Sequence, residues 1–302
     1  MFLLPDCDAL IASALAEDLG VPVARVLRPG DVSLLERDVT SASVVPAGVR
    51  FQGRIVAREA CVVCGLPVAE RVFEMLAIAA GLGDDVEVFP LLAEGTAVTA
   101  GTPVAEVSGS ARVVLAAERT ALDLVMLLSG IATEAARWQA EAGESIAVTD
   151  TRKTLPGLRD LSKYAVAVGG AHNHRVGLWD MVLVKDNHIA HAGGIAAAVG
   201  AARAVHPELL VEVEADTIGQ ATEAAAAGAD IVLLDNMDDA TTAEAVRAVR
   251  AACPMEKECL TEASGKITFE RLAGLRATGV DRVSSSALTL ALPVDFGLDE
   301  VT

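Results

Sequence analysis

The chain has 302 residues, 52% of them hydrophobic but only 3% aromatic, which provides for a large Ala/Val/Leu core in one or two domains and gives little material for cofactor stacking. Its formal net charge of −18 opposes attraction to nucleic acid and to anionic membranes. No run of about 18 apolar residues occurs and the opening MFLLPDCDAL has no basic start, so neither a spanning helix nor a signal peptide is expected, and the chain reads as cytoplasmic.

In chain order, residues 1–20 suggest an amphipathic helix, and Val21–Glu36, with its Pro, Gly and Arg, reads as a loop. Phe51–Ala57 and Cys61–Leu66 resemble strands, and Pro67–Ala80 fits a helix with proline in its first turn. Val86–Gly109 carries two turn signals, Glu94-Gly95 and Gly101-Thr102-Pro103, between β-branched runs. Together these give an N-terminal α/β sandwich domain over 1–130. Ala111–Ser129 is an almost wholly apolar helix, which must lie in a core or an oligomer interface. Its Arg119 either pairs with Asp123 one turn on or reaches a neighbouring anion site. The five cysteines are too few and wrongly spaced for a disulfide framework or a zinc site, so Cys61 and Cys64 are expected to be buried structural thiols.

Beyond residue 145 short apolar runs alternate with helical stretches. Candidate strands are Ile146–Asp150, Met181–Lys185, Leu210–Glu214, Ile231–Asp235, Cys259–Ala263 and Arg282–Ser286. Helices are expected at Pro156–Val168, Gly194–Val205, Thr217–Ala227, Asp239–Ala252 and Thr268–Thr278. Alternating strands and helices imply a parallel sheet, here an α/β barrel of about six strands over 131–287 that is either short or partly unrecognised. Barrel interiors fill with branched apolar side chains, so the chemistry is expected where strands end. The segment 288–302 has no room for another unit and is expected to pack back on the first domain.

The strand tips carry the reactive groups. Asp150–His188 holds Arg152, Lys153, Arg159, Lys163, Arg175 and Lys185 together with His172, His174 and His188, a cationic concentration that calls for an anion. Only five of the 24 basic residues are lysine, so Lys153, Lys185 and Lys266 at strand ends suggest a need for compact point charges. The competing reading is a salt-bridged rim using Asp150, Asp180 and Asp186, although rim pairs contribute little. Glu214 and Asp235 end successive strands and suit magnesium or sugar hydroxyls. Ser264-Gly265-Lys266 before a helix, with Ser285, Ser286 and Ala287 on the next strand end, resembles a barrel phosphate site. His172-Asn173-His174 offers a metal-like pair, but the Glu214 and Asp235 tips carry no histidine to complete a hydrolase metal set.

Asp150-Thr-Arg-Lys-Thr-Leu-Pro-Gly157, Asn173-His-Arg175 and Lys185-Asp-Asn-His-Ile189 resemble the signature of the quinolinate phosphoribosyltransferase family. The likeness runs through Glu118-Arg119-Thr120, Ser129-Gly130-Ile131, Glu212-Val-Glu214, Leu234-Asp-Asn236 and Glu262-Ala-Ser-Gly265, nearly the whole chain. The charge argues for no nucleic-acid or membrane partner, and the resemblance implies a type II phosphoribosyltransferase with an N-terminal α/β sandwich and an incomplete α/β barrel, a homodimer or higher oligomer with shared sites. It would convert quinolinate and phosphoribosyl pyrophosphate to nicotinate mononucleotide, CO2 and pyrophosphate in NAD biosynthesis, with Mg2+ and no organic cofactor. Carried over by motif, Arg152, His174, Arg175 and Lys185, with Arg119 of the partner subunit, would hold the pyridine dicarboxylate. Thr151 flanks this set and Lys153 would lie near both substrates. Lys153, Lys185, Glu214 and Asp235 form the catalytic set, the two carboxylates facing the ribose and its magnesium. Ser264, Gly265, Lys266, Ser285, Ser286 and Ala287 would take the 5-phosphate.

This chain departs from the family pattern in three places. Serine stands at 286 where glycine is usual, leucine at 290 where histidine is usual, and Val21–Glu36 is an added excursion. Two alternatives accompany the main reading. One is a same-fold paralogue for another pyridine carboxylate or phosphorylated ligand; the other is a binder without catalysis, which the acidic pair Glu214 and Asp235 argues against.

Overall fold

The structure, a computed structural model, describes residues 3–83 and 85–301; Met1, Phe2, Asp84 and Thr302, on which parts of the first-helix and C-terminal readings fall, lie outside them. Two compact units emerge. The first comprises the chain up to Glu134, Leu155–Gly169 and the stretch from Leu290. The second comprises Ala135–Thr154 and Gly170–Thr289.

In the first unit, α1 (Asp8–Leu19) buries Ile11, Ala12, Leu15, Ala16 and Leu19, a stripe with helical spacing. The stretch expected as a loop instead folds into α2 (Val23–Val26) and a 3-10 turn at Val32–Glu36. Burial of Val26, Leu34 and Leu35 and a 2.7 Å ion pair from Arg25 to Asp31 outweigh its turn-forming composition. There follow α3 (Val39–Val44), capped by the Asp38 carboxylate, then β1 (Arg50–Ala57) and β2 (Cys61–Val62).

The strand expected over Cys61–Leu66 is cut short: Val63 N still reaches Thr96 O at 3.0 Å, but the donors after it are claimed by side chains. Cys64 N donates to Ser129 Oγ at 2.9 Å, and Gly65 N and Leu66 N donate to the Glu94 carboxylate at 2.8 and 3.0 Å. That carboxylate starts α4 (Leu66–Ala79). Cys61 and Cys64 are buried, and burial, reinforced by Glu59, pushes the Cys61 thiol up to about 11, which leaves it inert at neutral pH.

After β3 (Glu87–Pro90), β4 (Ala97–Val98) and β5 (Pro103–Ser110), α5 runs from Ala111 to Ala142. It continues well past Ser129 because a single Gly130 does not stop a helix, and the next residue free to take a left-handed turn is Gly143, at φ 72°. Nor is it apolar all round: Leu115, Arg119 and Asp123, spaced by four, form an exposed stripe on which Arg119 pairs with Asp123 at 3.3 Å. α6 (Arg159–Val168) belongs to the same unit, and its Tyr164 hydroxyl donates to Glu94 at 2.8 Å.

The second unit is a six-stranded sheet, parallel throughout. Its strands are β6 (Ala147–Thr149), β7 (Val182–Val184), β8 (Val211–Ala215), β9 (Ile231–Asp235), β10 (Leu260–Ser264) and β11 (Arg282–Ser284), arranged β6-β11-β10-β9-β8-β7. With β6 and β7 at its two ends it is an incomplete barrel, the fold class that the family resemblance implies. The connections contain α7 (Asp186–Ala192), α8 (Ile195–Val205), α9 (Ile218–Ala226), α10 (Asp239–Ala252) and α11 (Leu272–Leu275). The last is shorter than the helix expected over Thr268–Thr278 and follows a 3-10 turn at Phe269–Arg271; Gly274 sits against Asp239, where a Cβ would lie 2.4 Å from Oδ2. In the first unit, β12 (Phe296–Glu300) joins β1 antiparallel, giving a sheet ordered β12-β1-β5-β3. Among the described residues no helix is long and apolar enough to cross a membrane.

Gly130 tests the packing of α5. A Cβ there would lie 2.2 Å from Leu292 O, whereas at Gly200 in α8 it would meet nothing within 4 Å. Helix propensity favours alanine by about 1 kcal/mol at both positions, but overpacking costs about 1–3 kcal/mol. Gly130→Ala is therefore expected to lower the thermal midpoint by several degrees and Gly200→Ala to leave or raise it. Equal midpoints would contradict the close contact.

Candidate active site

Because the strands are parallel, their C-terminal tips open at one end of the sheet, and side chains two residues apart on a strand share a face. Around this end lies a cavity of about 630 Å³. Thr151, Arg152 and Lys153 line it from beyond β6, Lys185 from beyond β7, Glu214 from β8, Asp235 from β9, and Ser264, Gly265 and Lys266 from β10 onward. His174 and Arg175 enter from the segment before β7, whose His172 bridges to Thr149 at the β6 edge. Leu183, Leu233, Asn236 and Ser284 complete the lining.

Five arginines and lysines, Arg152, Lys153, Arg175, Lys185 and Lys266, face two carboxylates, Glu214 and Asp235, so the lining carries a surplus of three positive charges apart from the histidine. In a chain of net charge −18 that surplus marks an anion site. Burial and the neighbouring Arg152 lower the Arg175 pKa, the cost of gathering cations. Lys185 Nζ forms an ion pair with Glu214. Asn236 Nδ2 donates to Asp235 Oδ2 at 2.5 Å, and Asn236 N donates to Ser264 O at 3.0 Å. Asn236 and Lys266 are the described non-glycine residues at positive φ, 55° and 51°, so the loops after β9 and β10 hold strained backbone at the cavity. Gly265 lies so close to Asn236 that a Cβ would sit 2.5 Å from its Oδ1.

The remaining candidates lie elsewhere. Arg119 belongs to the first unit, exposed on α5. Ser285, Ser286 and Ala287 follow the tip of β11 without lining the cavity; Ser285 N donates to Thr149 O at 3.1 Å and Ala287 N to Ser285 Oγ at 3.2 Å.

Directly beneath the cavity the barrel interior departs from the apolar filling expected of it. Glu212, Glu262 and Arg282 each precede a lining residue, Glu214, Ser264 and Ser284, by two positions and so share its face. Both carboxylates are 0% exposed. His174 Nε2 lies 2.9 Å from Glu212 Oε2 and 3.5 Å from Glu262 Oε1, and Arg282 Nε lies 3.1 Å from Glu262 Oε2. The other ring nitrogen, Nδ1, accepts the backbone N–H of Arg175 at 2.8 Å. His174 N in turn donates to the fully buried Asp150 at 2.9 Å.

Burial alone would lower the His174 pKa, but the two carboxylates push it up to about 9. Burial and then the charge of Glu262 raise Glu212, whereas contacts with His174 and Arg282 outweigh burial and hold Glu262 low. An imidazolium would forfeit the Arg175 bond, which needs the Nδ1 lone pair. The two raised values share one meaning: His174 and Glu212 together retain a proton that isolated residues would release, and one proton on either makes the four-residue group neutral. Sequence inspection had the signal, since Val211-Glu-Val-Glu214 alternates with period two, but attention to the strand tips passed over the tooth below.

Comparison with known proteins matches residues 38–129 to the quinolinate phosphoribosyl transferase N-terminal domain and 131–299 to its C-terminal domain. The chain belongs to the quinolinate phosphoribosyltransferase family. Among its relatives in that family, a probable nicotinate-nucleotide pyrophosphorylase [carboxylating] of Synechocystis is 47% identical over 79% of this chain and 78% of its own length. The Mycobacterium leprae nicotinate-nucleotide pyrophosphorylase [carboxylating] is 41% identical over 87% and 90%. The crystal structure of NadC from Streptococcus pyogenes superposes with a TM-score of 0.84 at 35% identity, covering 98% of this chain and 97% of that one.

The shared proton sets a pH dependence. A histidine whose folded pKa stands above its ordinary value contributes stability that is present at low pH and is lost as pH rises through the folded value. For His174 the window runs from its ordinary 6.5 to about 9. Raising the pH from 6.5 to 9.5 should lower the wild-type thermal midpoint more than that of Glu212→Gln, with a difference on the order of 1 kcal/mol or more. Parallel pH profiles would count against a proton held by this pair.

Proposed function

We propose that the protein transfers the phosphoribosyl group of phosphoribosyl pyrophosphate to quinolinate and releases nicotinate mononucleotide, CO2 and pyrophosphate. The names of the relatives describe the same reaction from the nucleotide side. The observation that carries the reading is the cavity's surplus of three positive charges, facing an acidic pair. Both substrates are polyanions that repel each other, and fixed cations offset that repulsion without reorganising during the reaction. Arg152, Arg175 and Lys185 suit two adjacent carboxylates, while Ser264, Gly265 and Lys266, where the backbone turns left-handed beside Asn236, suit a terminal phosphate.

In the transfer the ring nitrogen bonds to the anomeric carbon as the bond to pyrophosphate breaks with its electron pair. Glu214 and Asp235 stabilise the positive charge developing on the sugar. The ring nitrogen is then cationic, so the electron pair of the bond to the 2-carboxylate falls back into the ring as CO2 departs. A proton from solvent replaces it, and no organic cofactor is required.

The oxygen donors of Glu214 and Asp235, on adjacent strands, fit magnesium, which usually takes one or two carboxylates with substrate phosphates. Bound there, it would supply charge neutralisation for the departing pyrophosphate. Each carboxylate already has one protein partner, Lys185 or Asn236, which leaves room for an ion shared with substrate rather than a protein cage.

Turnover is expected with quinolinate and essentially none with nicotinate, read as pyrophosphate release with magnesium present. Comparable rates for the two would remove the assignment and favour the paralogue reading. Arg175→Ala or Lys185→Ala should cost on the order of 10²-fold in rate with the fold intact. Losses under about threefold at both positions would return these residues to a salt-bridged rim.

The exposed Arg119 fits a site completed by a second copy of the chain, with the partner subunit's Arg119 meeting the pyridine carboxylates. Arg119→Ala and Lys153→Ala should then each be nearly inactive. Mixing them after dissociation should restore roughly a quarter of wild-type activity, since about half of random dimers carry one intact site of two. If labelled subunits exchange and activity does not recover, Arg119 acts only as the partner of Asp123.

A further inference from the structure

The buried layer beneath the cavity is costly. Two carboxylates at 0% exposure, a histidine and an arginine lie where a barrel of this kind ordinarily packs branched apolar side chains, and apolar replacement of buried ion clusters is often neutral or stabilising. Retaining them calls for a function beyond stability.

The contacts of His174 indicate what that function is. Its Nε2 lies 2.9 Å from Glu212 Oε2 and 3.5 Å from Glu262 Oε1, charge contacts outside hydrogen-bond geometry, and its Nδ1 accepts the N–H of Arg175. Two carboxylates already stand beside Nε2, which disfavours the approach of a third from a bound ligand. The ring can, however, hold the neighbouring backbone. Arg175 lines the cavity, and its Nη1 donates to Met181 O at 3.3 Å, which fixes the guanidinium from the other side.

We propose that Glu212 and Glu262, braced by Arg282, are positioning residues that clamp the His174 ring and through it set the placement of Arg175 at the carboxylate-binding end of the cavity. The inference rests on the phosphoribosyl-transfer reading for the identity of the ligand, and it changes the role of His174 from a direct substrate contact to a strut. It follows that damage to the clamp should be felt more by the pyridine dicarboxylate than by phosphoribosyl pyrophosphate, because the clamp acts through Arg175.

The test uses the full-length protein with ¹⁵N-labelled histidine rings and steady-state kinetics for both substrates. Glu212→Gln should shift the His174 ring nitrogen signals and raise the KM for quinolinate about tenfold or more. Its KM for phosphoribosyl pyrophosphate should stay within about twofold. In the wild type, saturating benzene-1,2-dicarboxylate, an analogue without the reacting nitrogen, should leave the His174 ring signals nearly unmoved. Glu262→Gln provides the same readouts should Glu212→Gln fail to fold, and rescue of Glu212→Ala by Glu212→Asp would mark the carboxylate contact itself. Equal rises in both KM values would indicate general structural damage and overturn the inference, as would large ring shifts on adding the analogue, which would make His174 a direct ligand. Absence of wild-type quinolinate turnover would instead defeat the functional reading and is seen before any variant is made.

Discussion

Crowding five cationic side chains around one cavity is the constraint on which the rest of this structure depends. At an effective dielectric of about 20, two unit charges 4 Å apart repel by about 4 kcal/mol, so the cavity cannot exist without nearby negative charge. The fold supplies it in the wall, and beneath the wall it places a layer that Arg282 and a shared proton make neutral. Glu214 and Asp235 stand in the wall, and Glu212 and Glu262 lie one tooth lower on β8 and β10. Parallel strands make this arrangement economical, because their period of two stacks one carboxylate under a lining residue without altering the backbone. In the proposed function the residual positive charge is what the substrates would neutralise, which would tie affinity to the number of negative charges a ligand brings.

Much of the second unit was legible in the sequence because a buried parallel strand reads as a short apolar run and its tip as the first polar residue. Ile231–Asp235 is an instance in which run and strand coincide. The interior carboxylates were less legible: the rule that barrel interiors are apolar directed attention to Glu214 and away from Glu212, although both lie on one face. In the first unit the misreadings are about backbone donors. Cys61–Leu66 has strand-like composition, but Ser129 and Glu94, 65 and 29 residues away from Cys64 and Gly65, take the N–H groups that a strand would need. Tertiary partners of this kind cannot be read from local pattern. The turn signals of Val21–Glu36 were real, yet three buried apolar side chains and the Arg25–Asp31 pair gave its residues helical turns.

The strained residues Asn236 and Lys266 extend the same logic to the phosphate end. Both adopt left-handed backbone without being glycine, and Asn236 touches the acidic wall through Asp235 and the β10 loop through Ser264. Such strain persists only where surrounding contacts over-determine it. It links the placement of the carboxylate proposed to face the sugar to that of the loop proposed for the phosphate. Lys185 and Glu214 are paired in the same cavity lining as His174 and Asn236.

The central claim is that charge surplus selects a vicinal dicarboxylate, and calorimetric titration of unreactive aromatic acids tests it without the chemistry. Benzene-1,2-dicarboxylate should bind at least about tenfold more tightly than benzoate, or roughly 1.4 kcal/mol, and lose that advantage in Arg175→Ala. Equal affinities for the two acids in the wild type would contradict it.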